Sequence, residues 1–361
     1  MLRRRPEVSL CVSVFRRNPK VNSMKYASIC AIDYYLPSSE LTTGMLAQQF
    51  PDWSIESLEK RTGIHTRRIV GKEECASDLA VEAANKLFET GQCERRAIDF
   101  ILYCTQSPDY IIPTTACMLQ DRLGISKTAG ALDYNLGCSG FVYGLALCEG
   151  LIASNQAERI LLLTADTYSK YLNPMDRNSR TIFGDGAAAV FVSASEMDLP
   201  SFGPAVYGTD GSHALALALP NSGTRKGEIE GGARRNGKPS LEGTYLVMDG
   251  KRIVDFALEA VPDMVESLLK KADISRDAID LFVFHQANAF IVEELGSKLG
   301  IPKEKCPFLM GDGGNTVSAT IPMTLKRALD AGLIKDGDRI MLIGFGVGLS
   351  WAARILTWIS R

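Results

Sequence analysis

Continuous apolar runs alternate along the chain with segments in which apolar residues recur every three or four positions. The runs at 97–104 and 159–165 do not alternate between apolar and polar residues, and this pattern is typical of strands buried on both faces. Between 77 and 90 the apolar residues share one helical face, and Gly91 marks the end of that helix. Strands of this kind, separated by helices, predict an α/β architecture whose sheets are covered on both faces.

The second part of the chain repeats the pattern of the first. The run AIDFILY at 97–103 matches AIDLFVF at 278–284, and each follows an amphipathic helix. A Phe-Gly-x-Gly tetrapeptide lies near the end of each part, at 183–186, where it starts a strand predicted over 183–193, and at 345–348, where it precedes a predicted strand. Two shared elements in the same order predict an internal duplication.

The duplication predicts a first half over 24–198 and a second half over 199–361. Residues 1–23 differ from both, because they carry six Arg and Lys side chains against a single acid, Glu7. Their apolar stretch is shorter than a signal peptide requires, and no small-residue cleavage site follows it. We therefore predict that 1–23 is a disordered leader, or that the natural chain starts at Met24.

The composition is that of a globular protein and argues against several function classes. A net charge of −2 leaves no basic footprint for nucleic acid, and no apolar run reaches the length of a membrane span. The nine cysteines have irregular spacings and form no CxxC pair, which favours a reducing compartment over a disulfide framework. We predict a cytoplasmic protein with no nucleic-acid, membrane or metal partner.

A candidate nucleophile lies where a strand predicted over 130–136 turns into a helix predicted over 141–153. Cys138 occupies this turn, where free backbone N–H groups and the positive end of the helix dipole favour a thiolate over a thiol. Gly137 and Gly140 leave room for the close approach of backbone or substrate. Taken alone, a cysteine beside glycines is more often a small buried apolar residue than a nucleophile.

Two polar residues of the second half are candidate partners of Cys138. His285 ends the duplicated strand, on the side where open α/β sheets bind ligands. Asn315 lies in a Gly-Gly-Asn-Thr turn before a predicted helix. Each signal is weak by itself, since a strand-end histidine is usually structural and asparagine is common in turns. A pseudo-twofold relation between the halves would bring all three residues to one cleft.

Taken together, these motifs resemble the β-ketoacyl-acyl-carrier-protein synthase III family of the thiolase superfamily. The resemblance runs from about Met24 to the C terminus and implies a five-layered αβαβα fold and a homodimer. The matching segments occur in the order and spacing of the family: RTGI at 61–64, NLGCSGF at 135–141, the block at 176–186, HQAN at 285–288, GGNT at 313–316 and FGVG at 345–348.

Carried over residue by residue, the resemblance implies a catalytic triad of Cys138, His285 and Asn315. Cys138 would take an acyl group from acyl-CoA as a thioester, while the backbone N–H groups of Cys138 and Val347 form an oxyanion hole. A malonyl thioester would then lose CO2, and His285 and Asn315 would donate hydrogen bonds to the enolate oxygen. No metal or redox cofactor is implied.

The resemblance also implies substrate-binding residues, namely Arg61, Arg177 and Asn288. The best-known bacterial members carry a tryptophan that stacks on the CoA adenine, and this chain has Ser57 at that position. Trp53 lies about one helical turn earlier. Arg177, the other half of that stacking pair, is retained.

Three further positions depart from the family in ways that concern its partners. Asp255 and Phe290 occupy positions where basic residues dock an acidic acyl carrier protein, so electrostatic steering of that partner is weakened. Ile112 replaces the phenylalanine that limits the acyl pocket from the partner subunit. These departures are as compatible with a specialised homologue as with the initiator of fatty-acid synthesis.

Two other functions remain open at this stage. An acyltransferase on the same fold would pass the Cys138 acyl group to an alcohol or an amine, and only its product would distinguish it. A nucleotide-binding Rossmann protein is suggested by the glycines at 344–348. The second alternative is disfavoured because these glycines precede a predicted strand, whereas a dinucleotide motif opens a helix.

Overall fold

A computed structural model describes residues 25–52, 54–195, 201–224, 234–235, 238–239 and 245–360. The predicted leader at 1–23 and Trp53 lie outside these described residues. The predicted boundary between the halves, near 198, also lies outside them. The division into domains at that point stays a prediction.

The strands form two main sheets and three small two-stranded sheets. The first sheet has the order β1-β7-β6-β4-β5, and the second has the order β13-β14-β15-β8. The strands are β1 Tyr26–Tyr35, β2 Ser39–Thr42, β3 Thr66–Ile69, β4 Phe100–Cys104, β5 Gly130–Tyr134, β6 Arg159–Asp166, β7 Gly186–Ser195, β8 Phe202–Thr209, β9 Leu217–Ala218, β10 Arg234–Arg235, β11 Lys238–Pro239, β12 Val247–Met248, β13 Leu281–Phe284, β14 Arg339–Gly346 and β15 Ser350–Thr357.

Helices separate these strands, as the apolar pattern predicted. Short 3₁₀ turns occur before β4 and β13, after β6 and β8, and before the last helix. The α-helices are α1 Thr43–Gln49, α2 Ile55–Thr62, α3 Ala76–Glu89, α4 Thr115–Arg122, α5 Gly140–Ala153, α6 Arg177–Arg180, α7 Gly250–Ala272, α8 Ala289–Lys298 and α9 Thr320–Asp330.

Three apolar cores between the sheets and helices produce five layers. Helices α3 and α4 pack on the outer face of the first sheet, around Leu87 and Leu119. Helices α5 and α9 fill the space between the sheets, where Leu145 and Leu325 share one core. Helices α7 and α8 cover the outer face of the second sheet, around Val265. The predicted αβαβα arrangement is therefore confirmed.

Alternate residues of the central strands face opposite cores. In β6, Leu162 belongs to the core between the sheets, whereas Leu161 and Leu163 pack under α3 and α4. In β14, Leu342 and Met341 are divided in the same way between the central core and the core beneath α7. Because both faces are buried, these strands are continuous apolar runs in the sequence.

The duplication is visible in equivalent hydrogen bonds of the two sheets. The Asp99 carboxylate, just before β4, accepts the backbone N–H of Arg159 at 3.0 Å. The Asp280 carboxylate, just before β13, accepts the backbone N–H of Arg339 at 2.8 Å. In each half the second strand of the pair runs parallel to the first and antiparallel to the strand that follows it. The two halves are therefore built on one plan.

Two predicted strands begin later than the apolar pattern indicated. The run at 97–104 enters the sheet only at Phe100, because residues Arg95–Ala97 form a 3₁₀ turn. The strand predicted to start at Phe183 begins at Gly186. Phe183 instead forms an isolated bridge with Asn315, which joins the two halves.

Candidate active site

Cys138 lies in a tight turn between β5 and α5, as the sequence predicted. The turn is closed by the Gly140 N–H, which donates to the Gly137 carbonyl at 2.7 Å. A Cβ on Gly140 would lie 2.3 Å from the Cys104 Sγ, so only glycine fits at that position. Tyr134, the last residue of β5, donates its hydroxyl to the Gly140 carbonyl at 3.0 Å. Strand, turn and helix are thereby held together around the sulfur.

The thiol of Cys138 is buried in an apolar pocket, with an exposed fraction of 5%. Its neighbours include Tyr168, Phe183 and Val317. Burial, together with the smaller effect of the nearby Asp166, raises the pKa of the Cys138 thiol to about 12. The predicted thiolate at the helix start is therefore wrong for the free enzyme, because removal from water outweighs the favourable N–H groups.

The backbone after β14 closes over the sulfur of Cys138. A Cβ on Gly346 would lie 2.7 Å from the Cys138 Sγ, so the glycine permits this approach. The backbone N–H groups of Val347 and of Cys138 itself both lower the pKa of the thiol, which means that they point toward the sulfur. Both predicted oxyanion donors therefore lie beside the nucleophile, on opposite sides of the boundary between the halves.

His285 follows β13 directly and continues its ladder, since its N–H donates to the Ile343 carbonyl at 2.7 Å. The imidazole is 2% exposed, and it lies edge-on to the Phe345 ring with centroids 5.6 Å apart. Its Nδ1 lies 2.7 Å from the Thr320 hydroxyl. Burial lowers the pKa of His285 to about 3, so the ring is neutral at physiological pH.

Asn315 is held in the turn that precedes α9. Gly314 adopts a φ of +76°, a conformation that favours glycine, and thereby permits the sharp turn before Asn315. The Val317 N–H donates to the Asn315 Oδ1 at 2.9 Å, which orients the amide. The Nδ2 then lies 3.4 Å from the His285 Nε2. The two predicted partners therefore face one point in space.

The structure also identifies residues at the site that the sequence interpretation missed. Asp166, the last residue of β6, is fully buried and accepts the backbone N–H of Gln106 at 2.7 Å. It also accepts the backbone N–H and the hydroxyl of Ser318, three residues after Asn315. The sequence signal that could have identified Asp166 is a carboxylate at the end of an apolar strand. Asp166 thus joins the first half to the turn that carries Asn315.

The residues at the predicted CoA-binding positions contact other protein groups in the structure. The Arg177 guanidinium lies over the Phe50 ring, 5.5 Å from its centroid, and 3.5 Å from the Asp52 carboxylate. Ser57 lies in the first turn of α2, where its N–H is capped by the Ser54 hydroxyl. The Arg177 guanidinium therefore already stacks on Phe50, a ring that the family resemblance did not indicate.

The remaining predicted substrate-binding residues lie on three different elements. Arg61 is exposed in the last turn of α2, and Ile112 is 85% exposed in the loop before α4. Asn288 caps α8 by accepting the Ile291 N–H at 2.9 Å. These observations give Asn288 a structural role, and the substrate-binding roles of all three residues stay predictions.

Neither position predicted to dock a carrier protein carries a cation. Asp255 is exposed on α7 and pairs with Lys251 at 2.5 Å. Phe290, in the first turn of α8, is 40% exposed. Within the described part of the chain, no group of three or more potential metal ligands is present, and no helix is long and apolar enough to span a membrane.

Comparison with known proteins identifies similar sequences and folds. The family model described as 3-oxoacyl-[acyl-carrier-protein] synthase III matches residues 132–211, and the model of its C-terminal part matches 269–358. The beta-ketoacyl-[acyl-carrier-protein] synthase III 2 of Halalkalibacterium halodurans is 38% identical over 332 residues, which cover 92% of this chain and 96% of the relative.

Two solved structures extend the similarity to the fold. A 3-oxoacyl-(acyl-carrier-protein) synthase III crystal structure is 46% identical, with a TM-score of 0.88 over 92% of this chain and 100% of the other. The priming beta-ketosynthase from the R1128 polyketide biosynthetic pathway is 27% identical, with a TM-score of 0.82 over 95% of this chain and 99% of the other. The similarity thus spans almost the whole chain.

Proposed function

Since the chain belongs to the 3-oxoacyl-[acyl-carrier-protein] synthase III family of condensing enzymes, we propose that it extends an acyl group held on Cys138 with a malonyl thioester. The observation that carries the proposal is a series of contacts that starts at Cys138. Its sulfur lies against the Gly346–Val347 backbone, the preceding Phe345 ring lies edge-on to His285, and the His285 Nε2 lies 3.4 Å from the Asn315 Nδ2. This arrangement provides a nucleophile and two separate groups of hydrogen-bond donors.

In the first half-reaction, the Cys138 sulfur attacks the carbonyl carbon of an acyl-CoA. The backbone N–H groups of Cys138 and Val347 stabilise the oxyanion of the tetrahedral intermediate. The C–S bond to CoA then breaks, and the departing CoA thiolate takes the proton of the Cys138 thiol. No external base is consumed, which suits a buried thiol whose pKa is raised to about 12.

In the second half-reaction, a malonyl thioester loses CO2 and leaves an enolate. His285 and Asn315 donate hydrogen bonds to the enolate oxygen, where negative charge develops only as the C–C bond breaks. The enolate carbon attacks the Cys138 thioester, and Cys138 departs as a thiolate that takes a proton from water. The reaction is an acyl transfer that requires no metal or redox cofactor, and it suits a reducing cytoplasm in which Cys138 stays a free thiol.

The acyl donor in this proposal is a CoA thioester, and CoA binding involves Arg61, Arg177 and Asn288. The Lys251–Asp255 ion pair and the exposed Phe290 leave the carrier-docking surface with little net positive charge. An acidic acyl carrier protein would therefore be attracted only weakly. The similarity to a priming ketosynthase of polyketide synthesis supports either fatty-acid or specialised-metabolite synthesis as the pathway.

We also propose that the enzyme is a homodimer that pairs through the β5 edge of the first sheet. Leu132 on β5 is 38% exposed, and Tyr110, Ile111 and Ile112 are 58, 80 and 85% exposed in the loop that precedes α4. An open strand edge beside exposed apolar residues is typical of an interface. Light scattering during gel filtration at micromolar concentration should report twice the chain mass, and Leu132→Asp should shift it toward the monomer. A wild-type monomer would contradict the proposal.

Intact-protein mass spectrometry tests the condensing function directly. The protein is incubated with a panel of acyl-CoAs and then with malonyl-CoA or a malonyl carrier protein. We expect one acyl mass to appear, to be absent from Cys138→Ala, and to be discharged with release of a β-ketoacyl product. Cys117→Ala, which removes an exposed thiol, is the matched control and should load normally.

Two outcomes of this experiment would contradict the proposal in different ways. Loading that is discharged only by an alcohol or an amine, without a ketoacyl product, would identify an acyltransferase on the same fold. A failure of every acyl-CoA and acyl carrier protein to load Cys138 would exclude the acyl-enzyme mechanism.

A further inference from the structure

Thr320, the first residue of α9, contacts both His285 and the turn that carries Asn315. Its side chain is fully buried. The Thr320 Oγ1 lies 2.7 Å from the His285 Nδ1 and 3.2 Å from the Val317 carbonyl oxygen. Because a hydroxyl carries one hydrogen, only one of these two atoms receives a full hydrogen bond from Thr320.

Two arrangements of hydrogens are compatible with these atoms. The His285 ring is neutral and carries one N–H. In the first arrangement Nδ1 carries it and donates to the Thr320 hydroxyl, which then donates to Val317, and Nε2 presents a lone pair to the site. In the second arrangement the Thr320 hydroxyl donates to Nδ1, and Nε2 presents an N–H to the site.

The distances favour the second arrangement. In the first arrangement the hydroxyl would donate to the Val317 carbonyl over 3.2 Å, which exceeds the usual O–H···O limit of about 3.0 Å, whereas 2.7 Å to Nδ1 suits an O–H donor. In the first arrangement the Nε2 lone pair would accept a hydrogen bond from the Asn315 Nδ2, but 3.4 Å between these nitrogens exceeds the usual range. In the second arrangement both nitrogens are donors, and no hydrogen bond between them is required.

We propose that Thr320 is a positioning residue that donates its hydroxyl hydrogen to the His285 Nδ1 and thereby holds the imidazole as the Nε2–H tautomer. This inference rests on the proposed condensing function and adds a residue to it. Two N–H donors that lie 3.4 Å apart can both reach one oxygen at about 2.9 Å. That oxygen is the enolate oxygen of the decarboxylated extender. The other tautomer would direct a lone pair of Nε2 at the same negative charge.

The orientation of Asn315 supports the same convergence. The Val317 N–H holds the Asn315 Oδ1 at 2.9 Å, so the Nδ2 end of the amide faces His285. Val317 adopts a φ of +56°, and the Asp166 carboxylate holds the next residue, Ser318. The short segment from Asn315 to Thr320 therefore orients both donors.

Nitrogen-15 spectroscopy of the full-length protein tests the tautomer without reference to activity. The chain has only three histidines, His65, His213 and His285, so a sample labelled at histidine gives few signals. The His285 signals are assigned as those missing from His285→Gln. We expect a protonated Nε2 and an unprotonated Nδ1 in the wild type at neutral pH. The reverse pattern would overturn the proposal.

Two matched substitutions test the functional consequence. Thr320→Val keeps the shape of the side chain without the hydroxyl, and Thr320→Ser keeps the hydroxyl. Acylation of Cys138, followed by mass, should stay within about twofold of wild type in both, because the nucleophile is untouched. Decarboxylative condensation should fall about ten- to a hundredfold in Thr320→Val and return to within about threefold of wild type in Thr320→Ser, a smaller loss than removal of a whole donor.

The outcomes separate this inference from the proposed function. Equal condensation rates in Thr320→Val and Thr320→Ser would overturn the positioning role, as would an equal loss of acylation and condensation in Thr320→Val. If Thr320→Val fails to fold, the wild-type spectrum and Thr320→Ser decide. A wild-type protein that loads no acyl group would refute the condensing function, while the tautomer would still be read from the spectrum.

Discussion

The two halves of the molecule place different side chains at equivalent positions of one scaffold. Cys104 and His285 each lie five residues after an equivalent aspartate, at the ends of strands with the same register. The Cys104 thiol donates to the Leu136 carbonyl at 3.0 Å, so it supports the turn that carries Cys138. The His285 imidazole is instead directed at Asn315. The first half uses this position to support a turn, and the second uses it to place an imidazole beside the Asn315 amide.

The turns before the two central helices differ in the same way. The turn before α5 is rich in glycine and surrounded by apolar side chains, and it presents a sulfur and backbone N–H groups. The turn before α9 is rich in polar side chains, several of them buried and hydrogen-bonded to one another. The duplicated fold thus places the proposed nucleophile in one half and the two proposed enolate donors in the other.

The largest expected effect comes from removing the key side chain of each half separately. Cys138→Ala should abolish the acyl-enzyme and lower condensation at least about 10³-fold, because the nucleophile is lost. Asn315→Ala should load acyl groups normally and lower condensation about 10²- to 10³-fold, because one enolate donor is lost. Single-turnover mass measurements of loading and discharge separate the two steps. Equal losses of acylation and condensation in Asn315→Ala would contradict the proposal that the two halves serve different steps.

A second prediction concerns the contact between the halves at the sulfur. Gly346→Ala should slow acylation about ten- to a hundredfold, because the new Cβ would lie 2.7 Å from the Cys138 Sγ and displace the oxyanion donors. Gly150→Ala in α5 is the control, since its Cβ would meet nothing within 4 Å. The rate of acyl loading measures the effect. Equal loading by the two variants would show that the contact does not limit the reaction.

A buried group in each half should change the stability of the protein with pH, and the two changes should have opposite signs. Burial lowers the pKa of His285 from 6.5 to about 3, so its contribution to stability is lost as pH falls from 6.5. Burial raises the pKa of Asp166 from 3.8 to about 7, so its contribution is lost as pH rises from about 4 to 7. In the wild type the two trends oppose each other between these limits.

Substituting either His285 or Asp166 leaves only the pH dependence of stability that the other residue causes. Relative to wild type, His285→Gln should gain about 2 kcal/mol in its free energy of unfolding when the pH is lowered from 7 to 5. Asp166→Asn should gain relative stability in the opposite direction, from pH 5 to pH 7. Urea denaturation at the two pH values measures both changes. Parallel changes in all three proteins would show that neither group titrates as its burial implies.

The smallest expected effect concerns the surface of the second half. Asp255→Lys combined with Phe290→Arg should raise kcat/KM for a malonyl carrier protein about three- to tenfold at low salt, because cations attract an acidic partner. The gain should disappear at high ionic strength and should be absent with malonyl-CoA. An equal gain with both substrates would show that the charge does not act through protein docking.

Much of the site could be predicted because its residues lie at the ends of strongly patterned elements. Cys138, His285 and Asn315 each stand next to an apolar strand or helix, so the sequence could place them at the ends of elements, while their grouping as a triad came from the family resemblance and stays a prediction. The stacking of Arg177 could not be predicted in the same way, since the residue that contacts it, Phe50, is distant in the chain. Asp166 and Thr320 were missed because their partners lie in other segments.

The sequence by itself determined the α/β class and the duplication, because strand and helix periodicity and local motifs depend on neighbouring residues. Only the tertiary structure decided the charge state of the nucleophile. A helix start favours a thiolate locally, but the burial of Cys138 under the second half raises its pKa to about 12. The tautomer of His285 likewise depends on Thr320, because a hydrogen bond between segments 35 residues apart is created only by folding.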